Sequence, residues 1–252
     1  MNTFEERISK AGALIKNAQW ITAFTGAGIS TESGISDFRS KGGVWDRYRM
    51  VTYQEFLASH EARVEYWRMK HELFQELKDA RPNKAHEALA ELEKSGRLKC
   101  LITQNIDGLH QDAGSSHVIE LHGTNRKAGC LDCGKLWPIE EVQALVEAEG
   151  FEPRCDGCGG FIKPATVSFG QPMPEREMLI AYDCAVKCDL FLMIGSSLQV
   201  EPAASLPGEA YRTDAKLIYI NRTATPTDHL AEVVFNESAG DVMAALLTRV
   251  RS

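Results

Sequence analysis

Trp20-Ile21-Thr22-Ala23-Phe24 runs by way of Thr25 into Gly26-Ala27-Gly28. The first five residues read as a buried strand. A strand that ends in a glycine-rich turn is where α/β proteins place a phosphate. Small residues let backbone N–H groups approach it, and a following helix terminus adds positive potential. The turn Gly26-Ala27-Gly28-Ile29-Ser30-Thr31 departs from the dinucleotide fingerprint, because Thr31 holds the third glycine position. No strand follows where the ribose-binding acid would sit. Taken alone, the turn reads either as a phosphate cradle or as a tight structural turn.

Working outward, the segment before the turn places Phe4, Ile8, Ala11 and Ile15 on one helical face over Phe4 to Asn17. Residues 31 to 50 read as a long polar loop with Gly34, Gly42 and Gly43. Helical patterns are expected at Tyr53 to Ser59, Glu61 to Asp79 and Lys84 to Lys94, with Asn83 as the N-cap of the last. Strands are expected at Leu98 to Thr103, Val118 to Leu121, Leu190 to Ile194, Lys216 to Ile220 and Val233 to Phe235. An extended stretch is expected at Ala165 to Phe169, and helices at Glu175 to Val186 and Ala239 to Val250. Alternating helices and strands over 252 residues indicate one α/β domain, or one domain carrying an inserted module.

The strand ends carry polar groups. They are Asp37-Phe38-Arg39, Gln104-Asn105-Ile106-Asp107-Gly108-Leu109-His110, Leu121-His122-Gly123, Gly195-Ser196-Ser197 and Asn221-Arg222. In a parallel sheet the C-terminal strand ends converge on one edge, where ligands bind. Gln104, Asn105, Asp107, His122, Ser196, Ser197 and Asn221 are thus expected to line one crevice suited to ribose hydroxyls and a carboxamide. Each of them alone reads rather as a loop polar group or a helix cap; repeated across the strand ends, together they favour a nucleotide site. Among seven histidines, His122 stands out because it directly follows a buried strand and precedes Gly123. A neutral imidazole there has the properties of a general base near neutral pH.

Residues 124 to 162 form a compositional island. Cys130-Leu-Asp-Cys133 and Cys155-Asp-Gly-Cys158 are two C-x-x-C pairs separated by twenty-one residues. Two such knuckles wrap one tetrahedral zinc ion with four thiolates, leaving no open position for catalysis. A redox dithiol or an iron–sulfur cluster is the competing reading; a redox pair would follow a strand, open a helix and occur once. Cys100, Cys184 and Cys188 lie in apolar or helical contexts and are expected as buried hydrophobes or surface thiols. No disulfide framework is expected.

The net charge of −7 argues against a nucleic-acid-binding surface, which needs clustered Lys and Arg. It is compatible with lysine-rich protein partners. No signal peptide and no membrane-length apolar run is visible, so a cytoplasmic protein is expected.

Together these blocks resemble the sirtuin family. The resemblance is carried by Gly26-Ala27-Gly28-Ile29-Ser30, Ser33-Gly34-Ile35-Ser36-Asp37-Phe38-Arg39 and Thr103-Gln104-Asn105-Ile106-Asp107-Gly108-Leu109-His110. It continues through Leu121-His122-Gly123, the four cysteines, Val167-Ser168-Phe169-Gly170, Gly195-Ser196-Ser197-Leu198-Gln199-Val200 and Ile220-Asn221. Order and spacing agree over about residues 20 to 242.

The resemblance implies a Rossmann-like parallel-sheet NAD domain with a smaller inserted zinc-ribbon and helical domain. The Rossmann-like part would span about 1–40, 84–123 and 164–252. The helical insertion would span about 41–83 and the zinc module about 124–163. It implies NAD-dependent protein lysine deacetylation or deacylation, yielding nicotinamide, O-acyl-ADP-ribose and free lysine. The alternative on the same fold is mono-ADP-ribosyl transfer to protein or NAD hydrolysis. His122 and Asn105 would be catalytic, His122 taking a proton from a ribose hydroxyl. Gly26, Ala27, Gly28, Thr31, Asp37, Phe38 and Arg39 would form the cofactor loop, with Phe38 shielding the ribose from water. Gln104 and Asn105 would hold the ribose, and Ile106 and Asp107 the carboxamide. Gly195, Ser196, Ser197, Asn221 and Val242 would contact the adenosine half. Val167, Ser168, Phe169 and Gly170 would pair as a strand with the substrate backbone. Cys130, Cys133, Cys155 and Cys158 would hold one structural zinc. The expected partner is an acylated lysine in a protein, with neither nucleic acid nor membrane; a monomer is allowed.

Three positions depart from the family pattern. Ser36 replaces a frequent proline, Gln171 a frequent acid and Ser196 a frequent threonine. The Tyr and Arg three residues apart that accompany a preference for acidic acyl groups are not met. Here Tyr66 is followed by Met69, and Trp67 by Lys70.

Overall fold

The computed structural model describes residues 3–37 and 42–251; Phe38 and Arg39 lie outside them. The first half contains α1 (Phe4–Asn17), β1 (Ile21–Thr25), α2 (Val44–Arg47), α3 (Tyr53–Ala58), α4 (His60–Asp79), α5 (Lys84–Lys94), β2 (Leu98–Thr103), α6 (Leu109–Asp112) and β3 (Val118–Glu120). The second contains β4 (Gly123–Cys130), β5 (Leu136–Pro138), α7 (Ile139–Ala148), β6 (Ile162–Thr166), α8 (Glu175–Lys187), β7 (Leu190–Ile194), α9 (Leu206–Arg212), β8 (Lys216–Ile220), β9 (Val233–Phe235) and α10 (Ala239–Arg251).

Six strands form a parallel sheet in the order β3-β2-β1-β7-β8-β9. The order runs outward in both directions from β1 and β7, so the topological switch point lies between them. That is where a doubly wound sheet opens its ligand crevice. Both faces are covered. Ile21, Ala23, Leu101, Leu192 and Ile218 pack with α1, α5 and α10. Phe24, Ile102, Phe191, Met193 and Tyr219 pack with α8 and α9. Burial on both faces is why these strands read as continuous apolar runs rather than alternating ones.

Local signals set the helix starts. Thr3 and Glu6 form a capping box at α1. Asn83 caps α5 by accepting from the Ala85 amide, while its side-chain amide donates to the Ile29 carbonyl and the Ser33 hydroxyl. One residue therefore starts a helix and pins the glycine-rich loop.

The second sheet is antiparallel, in the order β5-β4-β6. Val51, Phe56, Tyr66 and Trp67 of the 41–83 segment share one core with Ala128, Ile139, Val142, Val146 and Ile162. The two insertions thus pack as a single small body.

The structure differs from expectation in several places. The stretch expected at 165–169 is a strand over Ile162–Thr166, followed by a turn in which the Gln171 amide donates to the Ser168 carbonyl and Gly170 has φ +80°. A 3-10 segment over Ala27–Ser33 runs into the long loop, which also contains α2. Strands β4 and β5 and helices α6, α7 and α9 lie outside the expected elements; β5 and α7 fall inside the cysteine island, and α9 has a proline in its first turn, where no amide is needed. Finally, Cys100 and Cys184 are joined as a disulfide, where free thiols were expected. Helix α8 packs over that face of the sheet and brings the two Cα atoms to 6.3 Å, within bridging distance.

Candidate active site and metal centre

Glycine at the switch point is a steric requirement. A Cβ on Gly28 would meet the Cα and carbonyl oxygen of Gly195 at 2.8 Å, and a Cβ on Gly195 would lie 2.2 Å from the Ile29 amide nitrogen. Gly195 also has φ +68°. The turns after β1 and β7 therefore touch backbone to backbone, the Gly28 amide donating to the Gly195 carbonyl at 2.8 Å.

Beside this contact lies a buried polar network. The Ser30 hydroxyl donates to Asp107 Oδ2 at 2.7 Å, and Asn105 Nδ2 donates to Ser30 Oγ at 3.0 Å and to Asp107 Oδ2 at 3.2 Å. His86 Nδ1 accepts from the Asn83 amide, so its proton sits on Nε2, facing Ser30 Oγ at 3.5 Å. The His86 and His110 rings lie 4.8 Å apart, and His110 Nε2 bonds Thr25 Oγ1 at 2.9 Å. Burial lowers the pKa of both histidines, that of His110 to about 3 with His86 adding to the effect. His110 Nδ1 is buried without a partner. Ser30 and His86 received no role from sequence. The available signal was the Asn83-to-His86 spacing, which puts the histidine in the first turn of a capped helix facing the glycine loop.

His122 lies one residue beyond the end of β3, after the buried Leu121. Its Nδ1 lies 2.9 Å from the Gln104 carbonyl oxygen. A carbonyl only accepts, so Nδ1 carries the proton and Nε2 is left as the basic nitrogen. Burial lowers the His122 pKa, against the raising effect of the Gln104 carbonyl. The imidazole is therefore neutral at pH 7. Gln104 also accepts from the Ser196 hydroxyl at 2.8 Å, which links the turn after β7 to the turn after β2.

The remaining residues fall around this edge. The Thr31 hydroxyl donates to the Gly28 carbonyl, and the Asp37 carbonyl accepts from Val44. The Ile106 carbonyl accepts from Asn125. Asn221 follows β8 and donates its side-chain amide to Thr223. Val242 is wholly buried in α10, its amide on the Ser238 carbonyl. Val167 donates its amide to the His122 carbonyl, and Phe169 accepts from the Tyr53 amide, so the segment expected to pair with substrate borders His122. Two cavities lie elsewhere: about 510 Å³ on the outer side of α4, and about 840 Å³ at the opposite end of β2.

The four island cysteines converge, with all Sγ atoms within 4.8 Å of one another. Cys130 and Cys158 are 3.5 Å apart, and Cys133 and Cys155 3.7 Å. A tetrahedron with zinc–sulfur bonds of about 2.3 Å has edges of roughly 3.8 Å. The donor set fits one structural zinc ion and leaves no position for water or substrate.

Comparison with known proteins agrees with this geometry. The Sir2 family model matches residues 26–202. The chain belongs to the Sir2 family. A curated relative of Thermodesulfovibrio yellowstonii, an NAD-dependent protein deacetylase, is 56% identical over 99% of this chain and 98% of its own. NAD-dependent protein deacylase 2 of Archaeoglobus fulgidus is 42% identical over 98% and 97%. Among solved structures, a Sir2 enzyme with a deacetylated p53 peptide and 3′-O-acetyl-ADP-ribose superposes with a TM-score of 0.91 at 36% identity, covering 96% of this chain and 97% of that one. Sir2Tm bound to a propionylated peptide superposes at 0.86 and 36% identity, covering 96% and 97%. The Sir2 fold accounts for the sheet order and the switch-point crevice. No described helix is long and apolar enough to cross a membrane.

Proposed function

We propose that this Sir2 chain is an NAD-dependent protein lysine deacylase with His122 as its general base. The observation that carries this reading is the His122–Gln104 hydrogen bond, which fixes the tautomer and leaves Nε2 as the proton acceptor. When bound, NAD supplies the departing nicotinamide and the ADP-ribose that receives the acyl group, so acyl-lysine, NAD and one solvent water give free lysine, nicotinamide and O-acyl-ADP-ribose.

Nε2 of His122 accepts the proton of a ribose hydroxyl. Gln104 and Asn105 hold that ribose, and Ile106 and Asp107 hold the carboxamide. Asn105 is oriented by Ser30 and Asp107 rather than by solvent, which supports a fixed catalytic amide. Gly26, Ala27, Gly28 and Thr31, with Asp37, Phe38 and Arg39, form the loop over the phosphates and the reactive ribose. Gly195, Ser196, Ser197 and Asn221 face the adenosine half, and Val242 backs it from α10. Val167, Ser168, Phe169 and Gly170 receive the acyl-peptide.

The domain division follows the shared core of the insertions: 1–40, 84–123 and 164–252 for the dinucleotide part, 41–83 and 124–163 for the small body. We infer a cytoplasmic enzyme whose partners are acylated lysines of proteins, not nucleic acid or membrane, and whose site needs no second copy. ADP-ribosyl transfer to protein or NAD hydrolysis is not favoured, since the named relatives are deacetylases and deacylases.

The test is nicotinamide release from NAD with and without an acetyl-lysine peptide, in the native chain and in His122→Ala. Peptide-dependent release that falls by at least about 100-fold in the variant is expected. Release indifferent to the peptide would replace deacylation with hydrolysis or ADP-ribosyl transfer.

A further inference from the structure

Lys163 is a lysine in the wrong place for a lysine: it is 2% exposed, among the largest fully buried side chains of the molecule. Lysine is almost never fully buried unless paired, and a buried ammonium requires acceptors. Among the described residues no carboxylate bonds it. Its Nζ donates to the carbonyl oxygens of Thr166 and Pro164 and lies 5.5 Å from the centre of the Tyr66 ring. Lys70, one turn further along α4, approaches the same ring at 5.6 Å. The Tyr66 hydroxyl in turn meets Thr166 Oγ1 and Ser168 Oγ, both at 3.4 Å. Burial pushes the Tyr66 phenol up, but Lys70 and Lys163 together with the Ser168 and Thr166 hydrogen bonds outweigh it and bring it down to about 7.

These contacts all act on one short stretch of chain. Thr166 and Ser168 lie where β6 leaves the small sheet beside the start of β4, whereas Lys163, paired with Gly129 near the far end of β4, reaches this stretch through its side chain. Gly123 pairs with Thr166 there, and a Cβ on Gly123 would sit 2.1 Å from the Ala165 carbonyl oxygen. The next amide, that of Val167, donates to the carbonyl of His122 itself. By gathering the 164 and 166 carbonyls on one ammonium, Lys163 sets the course of the backbone just before Val167.

We propose that Lys163 is a positioning residue for the acyl-peptide: it fixes the approach of Val167-Ser168-Phe169-Gly170 to His122 from beneath, with Tyr66 completing the clamp from α4. The inference rests on the reading of 167–170 as the peptide-receiving segment. It concerns acyl-peptide binding and leaves the NAD crevice untouched, because neither Lys163 nor Tyr66 bonds any residue of the Ser30–Asn105–Asp107 network.

The test is steady-state kinetics of acetyl-lysine peptide deacylation, with peptide binding followed separately by fluorescence anisotropy, in Lys163→Met, Lys163→Arg and Tyr66→Phe. For Lys163→Met, the peptide KM and Kd should rise about tenfold while kcat and the KM for NAD stay within about twofold. Lys163→Arg, which keeps the charge and donors, should recover most of that loss. Tyr66→Phe should move peptide KM in the same direction by about threefold. Unchanged peptide KM in Lys163→Met, or a loss confined to kcat or to NAD, overturns the proposal. If Lys163→Met does not fold, an unchanged peptide KM in Tyr66→Phe overturns it and a raised one supports it. A native enzyme that neither binds nor turns over the peptide removes the deacylase reading and this inference with it. A native enzyme that does both, beside an indifferent Lys163→Met, removes this inference alone.

Discussion

In the six-stranded sheet every residue of β1 and β7 is buried, whereas in the three-stranded sheet β5 is exposed at Leu136 and Pro138 and half-buried at Trp137. The large sheet has two apolar layers, and each fully buried Leu, Ile or Phe in them contributes roughly 1.5–3 kcal/mol. The small sheet has one apolar face, toward α4 and α7, and at its other end a knot of four thiolates. One body is held by area, the other in large part by metal–ligand bonds. The two should therefore fail under different insults.

The sharpest break is Cys155→Ala. Metal binding at such a site is folding free energy, on the order of 10 kcal/mol for thiolate zinc sites. The variant should lose zinc by elemental analysis and aggregate or elute as an expanded species in gel filtration. A stable, metal-free and fully active variant would refute the structural reading of the four cysteines. Loss should reach the proposed active site as well, because β4 and β6 of the small body continue directly from His122 and into Val167.

The same contrast governs what sequence could reveal. Strands buried on both faces appear as runs such as Leu190-Phe191-Leu192-Met193-Ile194, and thiolate spacing is local, so both were legible. His122 was expected directly after a buried strand, but β3 ends at Glu120 and is only half-buried, so that signal was weaker than the sequence suggested. Contacts between segments distant in sequence were not legible. Tyr66 and Ser168 are 102 residues apart, and Cys100 and Cys184 are 84 apart. Nothing in their own neighbourhoods announces the meeting. Lys163 defies the expectation that a lysine faces water. The end of β6 was misjudged because the turn that stops it depends on Gln171 returning to Ser168, both through its amide and through its side-chain oxygen.

Acid should strike the large sheet through its buried histidines. The folded-state pKa of His110 is depressed to about 3 by burial and by His86, from an ordinary value of 6.5. Above that ordinary value both folded and unfolded chains hold the ring neutral, so its contribution is complete. As pH falls below about 6.5 the unfolded chain takes up a proton that the folded chain refuses. Stability then drops by up to about 1.4 kcal/mol per pH unit from this group until about pH 3. Urea unfolding between pH 7 and 5 reads the slope. His110→Gln should be shallower by about one proton, whatever its absolute stability. An identical slope in the variant would mean that acid acts elsewhere, with the thiolate knot the next candidate.

The smallest effect is expected at an exposed ion pair of the small body. Lys135 Nζ reaches both carboxylate oxygens of Asp156, at 2.7 and 2.9 Å, and so bridges the two cysteine knuckles. It also lies 4.9 Å from the Trp137 ring centre. Both partners are exposed, with side-chain exposures of 46% and 72%. Water screens such a pair, and two flexible side chains lose entropy in forming it. If the metal holds the knuckles, Lys135→Ala should leave zinc content unchanged and shift the melting temperature by no more than about 3 °C. Loss of zinc in that variant would mean that the tetrahedron depends on an outer clamp, so that the small body is held by its surface charges as well as by its metal.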